Sequence, residues 1–153
     1  MRVGVPHGPL AELPQLDGLM APHELVRSRW RCRRDSQLEA LLAWGRKPSG
    51  RWAEGLAQER GLPLWRCEDG FLRSLGSAAD EPSLSLVLDQ QGIYYDATRP
   101  SQLDSLLSQR LSEEQRLRAS DVGQQWRQSR LSKVNSARES PAPTKPFVLE
   151  IGR

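Results

Sequence analysis

The chain has 153 residues, 37% of them hydrophobic, with 12 glycines and 11 prolines, so it can bury one modest core and is most simply a single domain. No run reaches the roughly 18 apolar residues that a membrane-spanning helix needs, and the N-terminus lacks a secretory pattern, so we expect a cytoplasmic protein. The net charge of +3 is uneven, since residues 1–50 carry 8 basic and 5 acidic groups and residues 51–153 carry 14 of each.

The first third of the chain predicts two strands and one helix. Residues 2–6 predict a short opening strand, and Pro22 precedes a predicted helix over residues 23–29. Residues 38–43 are apolar enough for a buried strand, although periodicity over so few residues also allows a helix. We favour the strand because turn residues follow it directly.

A parallel strand-helix-strand unit is predicted next. Apolar residues spaced on one helical face indicate a helix over residues 49–60, and Gly61 stands where a helix C-terminus favours glycine. Residues 62–67 predict a strand. The segment 38–67 has the length of a right-handed crossover, which predicts parallel pairing of its two strands.

Residues 84–89 and 92–96 are two β-prone runs joined by a turn signal, which predicts an added β-hairpin. A short helix is expected over residues 101–107. Together with the crossover unit, these elements predict an α/β fold, a Rossmann-like lobe with a mostly parallel sheet.

The last third begins with a longer predicted helix. Ser112 opens it in the form of a capping box, Leu117 and Val122 are expected to face the core, and the helix ends before Asn135. Residues 1–135 thus form the predicted lobe. Residues 136–146 read as a linker, and residues 147–153 as the start of an interrupted next segment.

The cysteines and histidines indicate little chemistry of their own. Cys32 and Cys67 stand far apart without a C-x-x-C or Cys/His cluster, so no disulfide framework and no metal site is predicted. We expect reduced thiols, with Cys67 half-buried. His7 and His23 neighbour no serine or cysteine nucleophile in the sequence, so carboxylates are the better candidates for catalysis.

The excess positive charge is concentrated between Arg27 and Arg34, where five arginines surround Trp30 and Cys32. Such a density attracts phosphate, an anionic lipid surface or nucleic acid. The alternative is a solvated helix face or loop. The rest of the chain has balanced charge and no nucleic-acid-binding motif, so we expect no nucleic acid partner, and a nonenzymatic protein that binds nucleic acid or an anionic surface remains the alternative function.

The segment from Glu68 to Ser74 joins two carboxylates, a glycine, an arginine and a hydroxyl directly after a predicted strand, where open α/β sheets build their sites. Because neighbouring side chains of a strand point to opposite faces, one carboxylate is expected to face a cleft while the other accepts backbone N–H bonds. Arg73 can pair with a carboxylate internally or bind a substrate anion. An ion-paired structural turn is the alternative interpretation.

Five ordered motifs extend this segment to about 90 residues. They are Trp44-Gly45-Arg46-Lys47-Pro48-Ser49, Arg66-Cys67-Glu68-Asp69-Gly70-Phe71-Leu72-Arg73-Ser74, Ser83-Leu84-Ser85-Leu86-Val87-Leu88-Asp89, Gly92-Ile93-Tyr94-Tyr95-Asp96-Ala97 and Leu131-Ser132-Lys133-Val134-Asn135. In this order they resemble the bacterial capsular polysaccharide biosynthesis and export family, the KpsC/LipA proteins. The chain resembles only the N-terminal part of such a protein.

The resemblance implies a retaining β-Kdo transferase, which moves 3-deoxy-D-manno-oct-2-ulosonic acid (Kdo) from CMP-Kdo to a phosphatidylglycerol-based lipid acceptor. Retention usually requires a carboxylate nucleophile and a separate acid or base. Glu68 or Asp69 is then the candidate catalytic acid or base, with Glu68 preferred. The implied substrate-binding residues are Gly70, Arg73, Ser74, Asp96, Lys133 and Asn135.

The family is built from two Rossmann-like lobes with a cleft between them, and this chain resembles the N-terminal half. It departs from the family pattern at residues 77–78, at Val134 and after Ile151, where the expected Asp-Gln-Thr segment and second lobe do not follow. Since the facing lobe supplies positioning and excludes water, we expect the chain not to be competent alone. The resemblance implies no cofactor besides the CMP-Kdo donor, and possible peripheral contact with the anionic inner membrane.

Overall fold

The fold is taken from a computed structural model, which describes residues 1–76, 81–133 and 135. It contains five strands and five α-helices in these residues. In chain order these are β1 (Arg2–Val5), α1 (Leu16–Met20), β2 (Glu24–Arg27), α2 (Arg29–Arg34), β3 (Ala40–Trp44), α3 (Arg51–Arg60), β4 (Leu64–Asp69), β5 (Leu86–Asp89), α4 (Gln102–Leu107) and α5 (Glu113–Gln128). The predicted linker over 136–146 and the strand over 147–151 lie outside the described residues.

The strands form one mixed sheet in the order β2-β1-β3-β4-β5. The first four are parallel, and β5 runs antiparallel to β4. The chain therefore has the predicted α/β fold with a mostly parallel sheet. Parallel pairing of β3 and β4 through α3 confirms the crossover that the sequence predicts.

Apolar side chains cover both faces of this sheet, as expected for parallel strands. One face packs Val3, Val5, Leu42, Trp65 and Cys67 against α1 and the loop before it. The residues that pack α2 and α3 on the other face are Val26, Cys32, Leu38, Leu41, Ala43, Ala53, Leu56 and Ala57. Helix α3 ends as predicted, with Gly61 in the left-handed conformation at φ 63°.

The helix predicted over residues 23–29 is wrong, because this segment contributes strand β2 and the start of α2. Leu25 and Val26 pair with β1 in parallel register, and Val26 is buried in the core. Ser28 then caps α2 by accepting a hydrogen bond from the Arg31 backbone N–H at 3.3 Å. Edge pairing with a neighbouring strand overrides the local helical pattern here.

The predicted hairpin is correct only in its first arm. Strand β5 pairs with β4, whereas residues 92–96 form turns. The buried Asp89 carboxylate explains this difference, because it accepts hydrogen bonds from the backbone N–H groups of Gln91, Gly92 and Gln102 at 2.8–3.0 Å. These bonds hold the chain in a turn where the hairpin would need an extended arm.

Both predicted C-terminal helices are present, with capping boxes at Ser101 and Ser112. The expectation that Leu117 and Val122 face the core is wrong, because these side chains are 60% and 48% exposed and α5 buries none of its residues. Their spacing places them on different sides of the helix, so they do not form one core-facing stripe. In the part of the chain that the structure describes, no helix is long and apolar enough to span a membrane.

Candidate functional site

The carboxyl ends of the four parallel strands place several polar side chains at one edge of the sheet. The strand order reverses between β1 and β3, because β2 lies on one side of β1 and β3 lies on the other. Open α/β sheets bind ligands at such a switch point. The loops after β1, β3 and β4 therefore define the candidate site.

Glu68 is the penultimate residue of β4 rather than a residue after the strand, because β4 extends two residues beyond the predicted end. Its Oε1 accepts a hydrogen bond of 2.6 Å from the indole Nε1 of Trp44 at the end of β3. Tyr95 bonds the same carboxylate through its phenol, and its pKa is raised by partial burial and by the Glu68 charge. The carboxylate is thus held by two aromatic side chains.

Gly45 allows this close packing. Its φ of 45° is left-handed, and a Cβ atom there would lie 2.7 Å from the Glu68 Oε2 and would collide with the Tyr95 hydroxyl. The following backbone N–H, of Arg46, donates to that hydroxyl at 3.1 Å. Trp44 and Tyr95 belong to the predicted motifs, yet sequence reasoning did not assign them to the site.

Asp96 is attached to the same loop by ionic contacts. Its Oδ2 lies 2.7 Å from the Arg46 guanidinium, and its side chain is only 6% exposed. Hydrogen bonds from the Thr98 side chain and backbone lower the pKa of Asp96, and the positive charges of Arg46 and Arg99 lower it further. The structure therefore places Asp96 next to the loop that follows β3, on the Glu68 side of the site.

Asp69 has a different environment from Glu68, as the strand geometry predicts. Its carboxylate accepts a hydrogen bond from the Ser83 hydroxyl, and its Oδ2 lies 3.2 Å from the Nε of Arg73. Its partners are thus side chains, whereas the backbone N–H donor that the sequence analysis expected for one carboxylate is found at Glu68, whose Oε1 accepts from the Asp69 N–H at 3.4 Å. For Arg73 the sequence left open an internal ion pair or a substrate anion, and the structure has the internal pair with Asp69.

The Asp69–Arg73 contact is ionic rather than a well-aligned hydrogen bond, because the Nε atom has no hydrogen-bond partner within the described ranges. The guanidinium also donates through Nη1 to the Ser74 hydroxyl at 2.8 Å and to the Glu81 carbonyl at 3.0 Å. With only 7% of Arg73 exposed, its side chain holds the turn together from within.

Gly70 is required because the strand that returns as β5 passes very close to it. A Cβ atom on Gly70 would lie 2.8 Å from the Cβ and 2.9 Å from the backbone carbon of Ser85. The Gly70 backbone N–H donates to the Ser85 carbonyl at 2.9 Å. The glycine thus serves the close approach of two backbone segments.

The motif at residues 131–135 contacts the turn after β4. The Lys133 carbonyl accepts hydrogen bonds from the backbone N–H groups of Arg73 and Ser74 at 2.9 and 3.4 Å. The Asn135 side chain donates to the Ser74 carbonyl at 3.2 Å and accepts from the Ser132 N–H at 2.7 Å. The structure therefore brings Arg73, Ser74, Lys133 and Asn135 together, although they are about 60 residues apart in the chain.

A cavity of about 120 Å³ opens between the loops that follow β1 and β3. Trp44 and Lys47 line it from one side, and the Lys47 ammonium lies 5.1 Å from the centre of the Trp44 ring. His7 lines it from the other side, where the Arg29 guanidinium lies 2.5 Å from Nε2. Sequence reasoning missed His7; its place directly after a buried first strand is the signal that could have identified it.

The two cysteines are buried and are poor candidates for nucleophiles. Cys67 is completely buried rather than half-buried, and burial raises its pKa to about 12, with the Glu68 and Asp69 charges adding to the effect. Burial likewise raises the pKa of Cys32 to about 11. Both are free thiols, as expected. The described residues contain no group of three or more His, Cys, Asp or Glu side chains arranged to hold a metal ion.

The arginine cluster is partly neutralised. Arg27 pairs with Asp17 at 2.9 Å and Arg33 with Glu59 at 2.9 Å. Arg29 contacts His7 and the Trp52 ring, and Arg34 lies 4.6 Å from the centre of the exposed Trp30 ring. The cluster is therefore divided among several local contacts instead of forming one continuous cationic surface.

Comparison with known proteins links these motifs to a family. Residues 39–140 match a family model described as capsule polysaccharide biosynthesis protein. The chain is similar to the capsule polysaccharide modification protein LipA of Neisseria meningitidis serogroup B, with 38% identity over 104 residues, 67% of this chain and 14% of the relative. It is also similar to the lipopolysaccharide-processing protein LpsZ of Rhizobium meliloti, with 46% identity over 72 residues, 46% of this chain and 16% of the relative.

Two solved structures share the fold. One is a Thermosulfurimonas dismutans KpsC β-Kdo 2,4 transferase, with a TM-score of 0.83 and 34% identity over 95% of this chain and 45% of that chain. The other is a β-Kdo 2,7 transferase from the KpsC of the same organism, with a TM-score of 0.60 and 28% identity over 84% of this chain and 43% of that chain. The chain spans 14% to 16% of the curated relatives it matches and less than half of these solved chains.

Proposed function

The chain belongs to the capsule polysaccharide biosynthesis family, and on that premise we propose that it forms one lobe of a Kdo transferase. The proposed reaction transfers Kdo from CMP-Kdo to a phosphatidylglycerol-based lipid acceptor in the cytoplasm, at the inner membrane. The observation that carries the proposal is the fold match to the β-Kdo 2,4 transferase, which extends over nearly all of this chain.

We assign Glu68 as the catalytic acid or base of this lobe. Its position supports the role, because the carboxylate lies at the carboxyl end of β4 and is oriented by the Trp44 indole at 2.6 Å. A general base must be held within hydrogen-bond reach of the hydroxyl it deprotonates. The bonds from Trp44 and Tyr95 supply that orientation.

Asp69 has the supporting role in this proposal. Its contacts with Ser83 and Arg73 fix the end of β4, and so fix the neighbouring Glu68. The predicted binding residues Gly70, Arg73, Ser74, Asp96, Lys133 and Asn135 surround the same end of the sheet. Of these, Lys133 has an exposed side chain, which favours it for contact with an anionic substrate.

The lobe is proposed to need a facing lobe for turnover. The solved transferase that it matches is more than twice its length. A cleft holds the donor and acceptor in attack geometry and excludes water only when both walls are present. We therefore expect the chain by itself to transfer no Kdo.

A chimera tests the proposal. Residues 1–133 of this chain replace the matching lobe of the T. dismutans 2,4 transferase, and Kdo transfer from CMP-Kdo to a phosphatidylglycerol-based lipid acceptor is followed by mass spectrometry. We expect the chimera to be active, and Glu68→Gln to reduce its rate by about 100-fold or more, the usual contribution of a general acid or base. Glu68→Gln preserves an acceptor for the Trp44 indole, so the fold is retained.

Glu59→Gln is the matched control, because Glu59 forms an exposed ion pair with Arg33 and such pairs contribute little to stability. A folded chimera without transfer activity would contradict the assignment of the reaction. A Glu68→Gln chimera as fast as its parent would remove Glu68 from catalysis. Turnover by the chain alone would disprove the need for a second lobe.

A further inference from the structure

We propose that the cavity between the loops after β1 and β3 binds the oxyanion of a phosphate or phosphodiester, with His7 and Lys47 as its ligands. Binding is inferred from the cavity itself. Its use in Kdo transfer rests on the proposed function.

The cavity has a suitable place and size. It lies where the strand order reverses, with Pro6, His7 and Pro9 on the β1 side and Trp44, Lys47 and Gly50 on the β3 side. Its volume of about 120 Å³ exceeds that of one water, which occupies roughly 30 Å³ in the liquid. The space therefore admits a small polyatomic group.

The contact with Arg29 determines which ring nitrogen of His7 can act as a hydrogen-bond donor. An arginine guanidinium has donors and no acceptor, so the Arg29 contact of 2.5 Å requires His7 Nε2 to act as the acceptor. In a neutral imidazole the proton is then on Nδ1. Partial burial lowers the pKa of His7, and the Arg29 charge lowers it further, which favours the neutral ring.

The Nδ1 atom of His7 has no partner within the described ranges, although it is shielded from solvent. A buried donor without an acceptor is costly, by about 1–3 kcal/mol, so such a group indicates a missing acceptor. Because His7 lines the cavity, an oxyanion there is the acceptor that the geometry points to.

Lys47 provides the positive charge. Its ammonium lies over the Trp44 ring at 5.1 Å, and none of the ion pairs within residues 1–76, 81–133 and 135 involves it. Lysine is a common point-charge ligand for phosphate. Arg29 adds a second positive charge behind His7.

Trp44 connects this cavity to Glu68. Trp44 lines the cavity, and the Lys47 ammonium lies over its ring. The Trp44 Nε1 donates to the Glu68 carboxylate. An anion held by His7 and Lys47 would thus lie one indole ring away from the proposed catalytic carboxylate. The cavity would anchor the charged part of a substrate while Glu68 acts on its hydroxyl.

The test uses the full 153-residue chain, uniformly labelled with ¹⁵N, and inorganic phosphate as the probe, so that both the histidine ring nitrogens and the backbone amides report binding. We expect saturable shifts of the His7 ring nitrogens, with Nδ1 as the protonated nitrogen. His7→Phe removes the donor and keeps a ring, and Lys47→Met removes the charge and keeps the stem. Each is expected to weaken phosphate binding by about tenfold or more, in line with charge-assisted hydrogen bonds.

Arg118→Gln on α5 is the matched control, because Arg118 is exposed and does not line the cavity. Well-dispersed backbone spectra establish that each variant is folded. Unchanged His7 signals in the folded wild type on addition of phosphate would overturn the proposal. Equal phosphate affinity of Lys47→Met and wild type would do the same.

Two further arms identify the source of the phosphate. Displacement of inorganic phosphate by CMP assigns the cavity to the nucleotide, and displacement by phosphatidylglycerol vesicles but not by phosphatidylcholine vesicles assigns it to a lipid headgroup. If neither displaces phosphate, the assignment to a substrate phosphodiester is wrong. An inactive chimera whose isolated lobe still binds phosphate would contradict the proposed function and leave the cavity proposal standing.

Discussion

The Trp44 indole N–H donates a hydrogen bond of 2.6 Å to the Glu68 carboxylate. The two residues lie at the carboxyl ends of the neighbouring parallel strands β3 and β4. The bond orients a partly exposed carboxylate and connects it to the cavity lined by the same indole. The bond thus links the end of β3 to the end of β4 through their side chains.

Trp44→Phe is expected to destabilise the chain by about 1–3 kcal/mol, because it leaves the half-buried Glu68 carboxylate without its main donor. In the chimera it should also lower the rate of Kdo transfer without abolishing it, since Glu68 remains. Urea unfolding and the transfer assay measure the two effects. Trp126→Phe is the control, because the Trp126 indole donates to the exposed Leu131 carbonyl. Equal stability of Trp44→Phe and wild type would show that the bond is not maintained in solution.

Two glycine substitutions should have opposite effects. Gly70→Ala forces the new methyl group against the Ser85 backbone and is expected to cost about 1–3 kcal/mol. Gly55→Ala, within α3, meets nothing within 4 Å and should stabilise the chain by about 0.5–1 kcal/mol. Thermal and urea unfolding give both values. A neutral Gly70→Ala would mean that Ser85 does not pass this closely.

The two thiols should be inert in the folded protein. Burial raises the pKa of Cys32 to about 11 and of Cys67 to about 12, so almost no thiolate is present at pH 8 and neither sulfur is accessible. A colorimetric disulfide reagent is expected to react with both cysteines only after denaturation. Rapid labelling of one thiol under native conditions would contradict its burial.

The pKa of His7 should lie below its ordinary value of 6.5 and rise toward it in Arg29→Gln, which removes one of the two causes of the shift. Arg34→Gln is the control, because Arg34 stacks on Trp30 instead. Histidine ring chemical shifts measured against pH give both values. Since the unfolded chain binds this proton more tightly, His7 should make the fold less stable as the pH falls below about 6.5.

Helix α5 should exchange its amide hydrogens faster than α3. Helix α3 buries Ala53, Leu56 and Ala57, whereas α5 buries no residue. Isolated helices of this length are marginal without packing. We expect about tenfold faster exchange in α5, measured by mass spectrometry. Low protein concentration keeps other copies of the chain from covering the helix. Equal protection at every concentration would mean that α5 is covered within the monomer.

Much of the parallel core was predictable because its signals are local. The apolar run before Trp44, the helix ended by Gly61 and the strand before Glu68 each have a pattern that depends on near neighbours. The capping boxes at Ser101 and Ser112 were predictable for the same reason. Two of the family motifs, the turn after β4 and residues 131–135, also lie together in the structure, because the Lys133 carbonyl accepts hydrogen bonds from the Arg73 and Ser74 backbone N–H groups.

Two of the errors arise where distant contacts decide. Residues 24–27 become a strand because they pair with β1, and the second hairpin arm is lost because the buried Asp89 carboxylate accepts hydrogen bonds from the Gln91 and Gly92 backbone N–H groups. The error at Leu117 and Val122 has a local cause instead, because their spacing places them on different sides of α5 and gives the helix no core-facing stripe.

The sequence by itself determined the α/β class, the parallel crossover unit and the family to which the motifs belong, because each depends on residues close together in the chain. Only the tertiary structure decided which distant side chains meet: Glu68 is held by Trp44 and Tyr95, and His7 and Lys47 line one cavity. These partners come from different strands and loops, so their distances exist only after the sheet has formed.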